Sequence, residues 1–154
     1  PELPRFGLRL FLPQEMSQVN YYGMGPMECY RDKHHAASHS SYTATVWQLH
    51  EDYIRPQENG SHFDCDYVML AGDAVRLTAV GTQPFSFNAS HYTQEELTRK
   101  AHNYELEPCG STVLCLDYAQ NGIGSESCGP RLLEQYRLDD ATFNFGLRLF
   151  PEKK

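Results

Sequence analysis

The sequence has few basic residues. Its 154 residues include 13 Lys and Arg against 20 Asp and Glu, which gives a formal net charge of −7 at pH 7. Proteins that bind nucleic acid or an anionic membrane surface need the opposite balance, because phosphate groups attract Lys and Arg. The composition therefore argues against both kinds of partner.

The sequence also lacks long apolar runs. Its longest apolar runs fall far short of the roughly 20 apolar residues that a transmembrane helix requires. No signal-peptide pattern opens the chain. We therefore expect a cytoplasmic protein that does not enter a membrane. Because the first residue is Pro and not Met, we also expect the chain to be cut from something longer.

Cysteine pairs of the CxxC type are missing. The five cysteines are odd in number and widely spaced, at Cys29, Cys65, Cys109, Cys115 and Cys128. This argues against a disulfide framework and for a reducing compartment. His34, His35 and His39 near Asp32 suggest a zinc site as an alternative, but their spacing matches no known zinc motif, and a solvated loop explains them as well. We predict no metal.

Alternation of apolar and polar residues is the main positive signal. In residues 6–12, FGLRLFL, Phe6, Leu8, Leu10 and Leu12 share one face, which predicts a half-buried strand. Residues 61–70 place Phe63, Cys65, Tyr67 and Met69 on one face, and Gly72-Asp73 turns the chain into a hairpin partner at 75–79. Further strands are predicted at residues 16–22, 42–50, 85–90, 111–118 and 141–150.

Three of these segments carry additional information. In residues 85–90, Phe85, Phe87 and Ala89 should face inward, while Ser86, Asn88 and Ser90 should face outward. Residues 111–118 are apolar on both faces, which is typical of a central strand. The hexapeptide FGLRLF occurs at 6–11 and again at 145–150. This indicates two strands that each need an apolar inner face and an outward Arg, and not a repeat fold.

One helix is predicted, near residues 93–102. Thr93 can cap it and Glu96 can return the bond, as in a capping box. Many short strands, regular turns and one helix predict an all-β antiparallel sandwich formed by a single domain, residues 1–154.

Two loops are the most distinctive parts of the chain. Residues 21–32, YYGMGPMECYRD, combine glycines and a proline with a charged run, and residues 56–60 read PQENG. Glycine permits positive φ and close approach, and proline fixes φ, so both are shaped loops. Such loops often carry function on a β scaffold, although a tight strand connection is the simpler interpretation.

Candidate chemistry rests on acids, a thiol and aromatic rings. A glycosidase needs two carboxyls about 5–9.5 Å apart, and Glu28, Asp32, Glu58 and Asp117 are candidates, with surface charge as the favoured alternative. Cys128 has no identifiable base, so a packed or pocket-edge thiol is the default. Trp47 and the ten tyrosines suit a sugar-binding surface, but they suit a β core equally well. The sequence contains no Gly-rich phosphate loop and no Ser-His-Asp pattern.

Five segments, in order, resemble the C-terminal part of a large β-galactosidase of glycoside hydrolase family 2. They are LPRFGLRLFLP (3–13), VNYYGMGPMECYRD (19–32), YIRPQENG (53–60), FSFNASHYTQEEL (85–97) and NGIGSESCGP (121–130). The pairing of GMGPMECYRD with PQENG is the most specific part of this resemblance.

The resemblance implies a role without catalysis. The family's last domain, or small chain, is an antiparallel supersandwich similar to galactose mutarotase, and this chain would be its later half. The catalytic acid/base and nucleophile belong to a separate (β/α)8 barrel, so the fragment alone is expected to be inactive. The missing half predicts exposed strand edges or apolar surface, and self-association through them.

The resemblance also assigns residues to two roles. The rim of the substrate pocket would receive a loop with Asn121, Gly122, Ser127 and Cys128, where Cys128 stands in place of a Trp that stacks on sugar in some members. A thiol cannot provide that stacking surface. A structural motif would be formed by Gly23, Gly25, Pro26, Glu28, Tyr30, Arg31, Pro56, Glu58, Asn59 and Gly60.

The parent enzyme implied by the resemblance hydrolyses terminal β-D-galactose residues, for example in lactose. It would use Mg and Na, with no cofactor in this fragment. Its partners would be the remainder of the β-galactosidase chain, the galactoside substrate and further copies in a homo-oligomer. A stand-alone carbohydrate-binding or mutarotase-like module is the alternative, and a pure interaction domain is a third possibility.

Overall fold

Seven antiparallel strands dominate the protein, whose computed structural model describes residues 3–122 and 130–154. The strands are β1 (Arg5–Pro13), β2 (Gln18–Gly25), β3 (Ser38–Thr45), β4 (His62–Ala71), β5 (Val75–Ser90), β6 (Ser111–Gln120) and β7 (Leu147–Lys153). They form one sheet in the order β1-β6-β5-β4-β2-β3, and β7 pairs with β5 outside this path. The all-β antiparallel class is confirmed, and a single sheet is consistent with one layer of a sandwich.

The core lies on the middle strands of this sheet. Phe85 and Phe87 of β5 are fully buried, as predicted, and they join Leu114 and Leu116 of β6 in one apolar cluster. β6 lies between β1 and β5, which confirms that residues 111–118 form a central strand. Consecutive residues from Thr112 to Asp117 are buried, so both faces of β6 are covered, as in a strand at the centre of a packed sheet.

The hairpin between β4 and β5 is confirmed, but one predicted face of β4 is wrong. Its turn closes with a 2.9 Å hydrogen bond from Gly72 N–H to the Val75 carbonyl. Asp64 has a φ of 55°, and the pairing register shifts on both sides of Cys65. Because a bulge changes which side chains face the core, Val68 and Leu70 are buried where Tyr67 and Met69 were expected.

Strand β5 is longer than the sequence indicated. The segments predicted separately at 75–79 and 85–90 form one strand of 16 residues. Its first part pairs with β7 at residues 75–81, and its last part pairs with β6 at residues 86–90. The change of partner explains why the intervening Gly-Thr-Gln-Pro sequence does not end the strand.

The predicted strand at 42–50 is wrong in its second half. β3 begins earlier, at Ser38, and Val46–Leu49 forms a 3-10 helix. Thr45 caps this turn, since its Oγ1 accepts from Gln48 N–H at 3.2 Å while Gln48 Oε1 accepts from Thr45 N–H at 2.8 Å. The reciprocal cap satisfies two backbone donors that a strand would pair with a neighbour.

The boundary of the first shaped loop also differs from the prediction. β2 continues through Gly23 to Gly25, so the loop begins only at Pro26, after a cis Gly25-Pro26 peptide bond. Both glycines therefore belong to the sheet, where they pair with β3.

The predicted helix is present but shorter, as α1 (Gln94–Arg99). Thr93 Oγ1 accepts from Glu96 N–H at 3.1 Å, which confirms the cap. The return bond of the capping box is not formed. The Glu96 carboxylate instead accepts from the backbone N–H of Glu107 at 3.0 Å and from the Arg99 guanidinium at 2.5 Å. These two donors replace the backbone N–H of Thr93 as its partners.

Residues 141–146 do not extend the last strand, contrary to the prediction for 141–150. β7 starts at Leu147, and the Phe143 ring stacks on Phe6 of β1 with centroids 4.3 Å apart. The expected exposed apolar surface is present on β1 and β7, where Phe6, Leu8, Phe11, Leu149 and Phe150 are exposed. Among residues 3–122 and 130–154, no helix has the length and apolar character needed to cross a membrane.

Candidate functional site

Glu28 joins the two loops that the sequence singled out. Its Oε1 accepts from Lys33 Nζ at 2.8 Å and from the Tyr53 hydroxyl. Its Oε2 accepts from the Tyr30 hydroxyl at 3.1 Å and from Gly60 N–H at 2.9 Å. The carboxylate is buried, so four donors replace the water that it loses.

The electrostatics keep Glu28 charged. Burial would raise its pKa, but hydrogen bonds from Lys33, Tyr53 and Gly60 outweigh burial and lower the pKa below its ordinary value. Burial and the Glu28 charge both raise the pKa of Tyr30 and Tyr53. The two tyrosines therefore stay protonated and act as donors to the carboxylate.

The residues around position 60 hold the second loop in place. Gly60 has a φ of 69°, a left-handed conformation in which glycine avoids the cost that a side chain would bring. Cys29 N–H donates to the Ser61 carbonyl at 2.8 Å, and Asn59 Oδ1 accepts from Glu51 N–H at 3.1 Å.

Arg5 organises a second polar cluster beside the first. Its guanidinium contacts Glu58 at 2.6 Å, Asn88 Oδ1 at 3.3 Å and the Asp117 carboxylate. Asp117 is only 2% exposed, and burial raises its pKa to about 6 although Arg5 opposes this shift. Asp117 and Glu58 raise the pKa of Arg5 against the effect of burial, so the guanidinium stays charged.

This cluster corrects the prediction for one face of β5. Ser86 and Asn88 were expected to face outward, but both are buried. Asn88 Nδ2 donates to the Asn59 carbonyl at 2.6 Å, so the loop at residues 56–60 covers this part of the strand. A second layer on the sheet therefore makes polar residues part of the interior.

The candidate acids do not form an open catalytic pair. Glu58 and Asp117 both contact the Arg5 guanidinium, which occupies the place between them where a glycosidic bond would have to lie. Glu28 is bound to its own donors, and Asp32 lies against the backbone of Gly122. The four acids are thus divided among three locations.

The predicted rim residues are only partly within the described structure. Asn121 N–H donates to the Pro4 carbonyl at 2.9 Å, and Asn121 Oδ1 accepts from Leu138 N–H at 2.6 Å. Gly122 follows it beside Asp32. Ser127 and Cys128 lie outside the described residues, so their role at a pocket rim stays a prediction.

The remaining motif residues have structural contacts. Arg31 Nη1 donates to the Arg137 carbonyl at 3.4 Å, and Pro56 is buried. Gly23, Gly25 and Pro26 lie at the end of β2 as described above. The roles assigned to these residues by resemblance stay predictions, although the structure brings Glu28, Tyr30, Glu58 and Gly60 into two adjacent clusters.

The histidines near Asp32 are turned to different partners. His34 Nδ1 lies 3.1 Å from the Tyr30 carbonyl, and His39 Nε2 lies 2.9 Å from the Asp64 carbonyl. Within the described ranges, no group of three or more His, Cys, Asp or Glu side chains is arranged to hold a metal ion.

Sequence reasoning missed several hydrogen-bond and ion-pair partners in both clusters. Arg5, Lys33 and Tyr53 were not proposed as site residues, and Asn88 was placed on the outer face. Arg5 and Tyr53 do lie within segments that carry the family resemblance, which was the available signal. A cavity of about 420 Å³ lies beside the Glu28 cluster and is lined by Met27, Glu28, Lys33, His34, Glu51 and Tyr53, among others.

Comparisons with known proteins identify relatives of this chain. A family model for the beta galactosidase small chain matches residues 1–149. The beta-galactosidase of Actinobacillus pleuropneumoniae is 50% identical over 153 residues, which cover 99% of this chain and 15% of that protein. The beta-galactosidases of Staphylococcus xylosus and an Arthrobacter strain are 44% and 34% identical, over 97% and 95% of this chain and 15% of each relative.

The chain is thus similar to a segment of beta-galactosidases, which are glycosidases. More narrowly, the chain belongs to the beta galactosidase small chain family. It spans about 15% of the length of these relatives.

Proposed function

We propose that this chain is a non-catalytic C-terminal part of a cytoplasmic β-galactosidase, an enzyme that hydrolyses terminal β-D-galactose residues. Relatives named beta-galactosidase match nearly all of this chain with only 15% of their own length. Retaining hydrolysis requires a nucleophilic carboxylate and an acid/base carboxylate close together. Most of such an enzyme lies outside this segment, and that part would supply the nucleophilic and the acid/base carboxylates.

The single observation that carries the proposal is the state of the candidate acids Glu28, Glu58 and Asp117. Glu28 has four donors, and Glu58 and Asp117 share Arg5. A nucleophile must be free to attack, and an acid must reach the leaving oxygen. Glu28 instead connects two loops, and Arg5 connects Glu58 of the loop at residues 56–60 with Asp117 of β6.

The chain acts as a support for the catalytic barrel. Its exposed apolar residues on β1 and β7 would contact the remainder of the enzyme chain, or further copies in a homo-oligomer. Asn121 is hydrogen-bonded to Pro4 and Leu138, and the loop with Asn121, Gly122, Ser127 and Cys128 would reach the rim of the galactoside pocket. The Mg and Na of the parent enzyme would bind in the remainder of that chain.

A chimaera tests this proposal. In the Actinobacillus pleuropneumoniae enzyme, the matching segment is replaced by this chain, and hydrolysis of a chromogenic β-galactoside is measured. We expect activity in the chimaera, none in a variant that lacks the segment, and none from this chain alone. Turnover by the isolated chain, or an inactive chimaera that is folded, would contradict the proposal.

A further inference from the structure

An aromatic platform is formed by residues of the 3-10 turn after β3 and of the connection after β5. Trp47 is 50% exposed although its side chain is large and apolar. Its ring centroid lies 4.6 Å from that of His91 and 6.0 Å from that of Tyr92. The two neighbouring rings support the indole and leave half of it open to solvent.

The platform is held in place by local structure. The reciprocal cap between Thr45 and Gln48 fixes the turn that carries Trp47. His91 is buried, and its Nδ1 lies 3.3 Å from the Ser111 carbonyl. A ligand that stacks on Trp47 would therefore lose little binding free energy to the ordering of the site.

A chain of polar contacts leads from Tyr92 through His50 and Asn103 to Asp52. The His50 ring lies 5.0 Å from that of Tyr92, and His50 Nε2 is 3.3 Å from Asn103 Oδ1. Asn103 Nδ2 donates to Asp52 Oδ1 at 2.8 Å. The Asp52 side chain is 82% exposed, so its carboxylate can accept further hydrogen bonds.

We propose that Trp47, Asp52 and Asn103 form a galactoside-binding site. A galactopyranose has an apolar face of C–H groups that can stack on an indole, and its hydroxyls can donate to a carboxylate and bind an amide. A purely apolar partner would bury Asp52 and Asn103 without new hydrogen bonds. An anionic ligand would be repelled by the Asp52 carboxylate and by the net charge of −7. The choice of galactose among sugars rests on the proposed function.

The protein offers a direct probe of this site, because Trp47 is its only tryptophan. We expect methyl β-galactoside to change the fluorescence of Trp47 along a saturable curve with a midpoint in the millimolar range. Because the ligand is neutral, the midpoint should not depend on salt concentration. Sorbitol at the same concentrations should give no saturable change. A linear response identical to that of sorbitol would overturn the proposal.

Variants at the platform separate stacking from general surface effects. Binding is measured by saturation-transfer NMR of the galactoside protons, which needs no tryptophan in the protein. Trp47→Phe should retain binding within a few-fold, while Trp47→Ala should weaken it about tenfold. Asp52→Asn should also weaken it. Phe11→Ala removes an equally exposed ring on β1 and should leave binding unchanged, and equal binding by Trp47→Ala would contradict the assignment.

Two further measurements complete the test. Thermal unfolding of each variant must match that of the wild type, so that weaker binding reports the site. Fluorescence that changes with protein concentration alone, together with a dimer in light scattering, would identify the platform as a contact between copies and overturn the sugar assignment. Failure here with an active chimaera would refute this site and leave the proposed function intact.

Discussion

The Glu28 carboxylate accepts a 2.9 Å hydrogen bond from the backbone N–H of Gly60, which lies 32 residues further along the chain. The same carboxylate holds Lys33, Tyr30 and Tyr53. One side chain therefore connects the loop after β2 with the loop before β4. Loss of its charge should loosen both loops together.

Glu28→Gln tests this connection. The amide keeps the size of the side chain, but its NH2 group faces donors and the negative charge is lost. We expect the free energy of unfolding to fall by about 3 kcal/mol, because buried donors lose their acceptor. Urea unfolding, monitored by circular dichroism, measures this change in the free energy of unfolding.

The matched control for this variant is Glu152→Gln. Glu152 pairs with Arg76 at the surface at 2.7 Å, and exposed pairs contribute little. We expect no measurable change in stability. Equal effects of the two substitutions would mean that Glu28 does not have the structural role described here.

Gly60→Ala and Gly110→Ala form a second matched pair. Both glycines have positive φ, 69° and 75°, but a Cβ on Gly60 would strike the Leu49 carbonyl while one on Gly110 meets nothing within 4 Å. We expect a loss of about 1 kcal/mol for Gly110→Ala, from backbone strain alone. Gly60→Ala should cost about 3 kcal/mol, since a steric clash is added to strain. Equal unfolding midpoints in urea would show that the clash relaxes freely.

Arg5 is expected to stabilise the folded protein because it is the cationic partner of the buried Asp117. Arg5→Met leaves that carboxylate 2% exposed without its cation, and should cost about 4 kcal/mol of stability. The double variant Arg5→Met with Asp117→Asn should recover part of this loss, because no buried charge remains. A double-mutant cycle in urea measures the coupling. Additive effects of the two substitutions would contradict the ion pair.

His62 should make the protein sensitive to mild acid. Burial lowers its pKa from 6.5 to about 4, so the unfolded chain takes up the proton first as the pH falls. Stability is therefore lost between pH 6.5 and 4, by about 2 kcal/mol at pH 5 for this group. Wild type and His62→Gln are compared by urea unfolding at pH 7 and pH 5.

The wild type and His62→Gln differ in the pH dependence of their unfolding free energy only through His62, because both proteins retain Asp117. The raised pKa of Asp117, about 6, acts in the opposite direction, since its folded form binds the proton more tightly and stability falls as the pH rises. Identical pH dependence of the two proteins would contradict the assignment for His62.

Local patterns in the sequence determined the strands and their class. Alternation in residues 6–12 and 61–70 identified β1 and β4, the double apolar faces of 111–118 identified the central β6, and Thr93 marked the start of α1. These features depend on neighbours a few residues apart, which sequence periodicity records. The loop motifs likewise supported membership of the small chain family, which the comparisons confirm.

Only the tertiary structure decided which side chains meet. Arg5 and Asp117 are 112 residues apart, and Glu28 and Gly60 are 32 apart, so their contacts depend on sheet register and on loops folding over it. The bulge at Asp64 moved the buried face of β4 to Val68 and Leu70, and the loop at 56–60 buried Asn88. A change of one residue in register reverses the faces of a strand, and that register is set by long-range pairing that no local pattern contains.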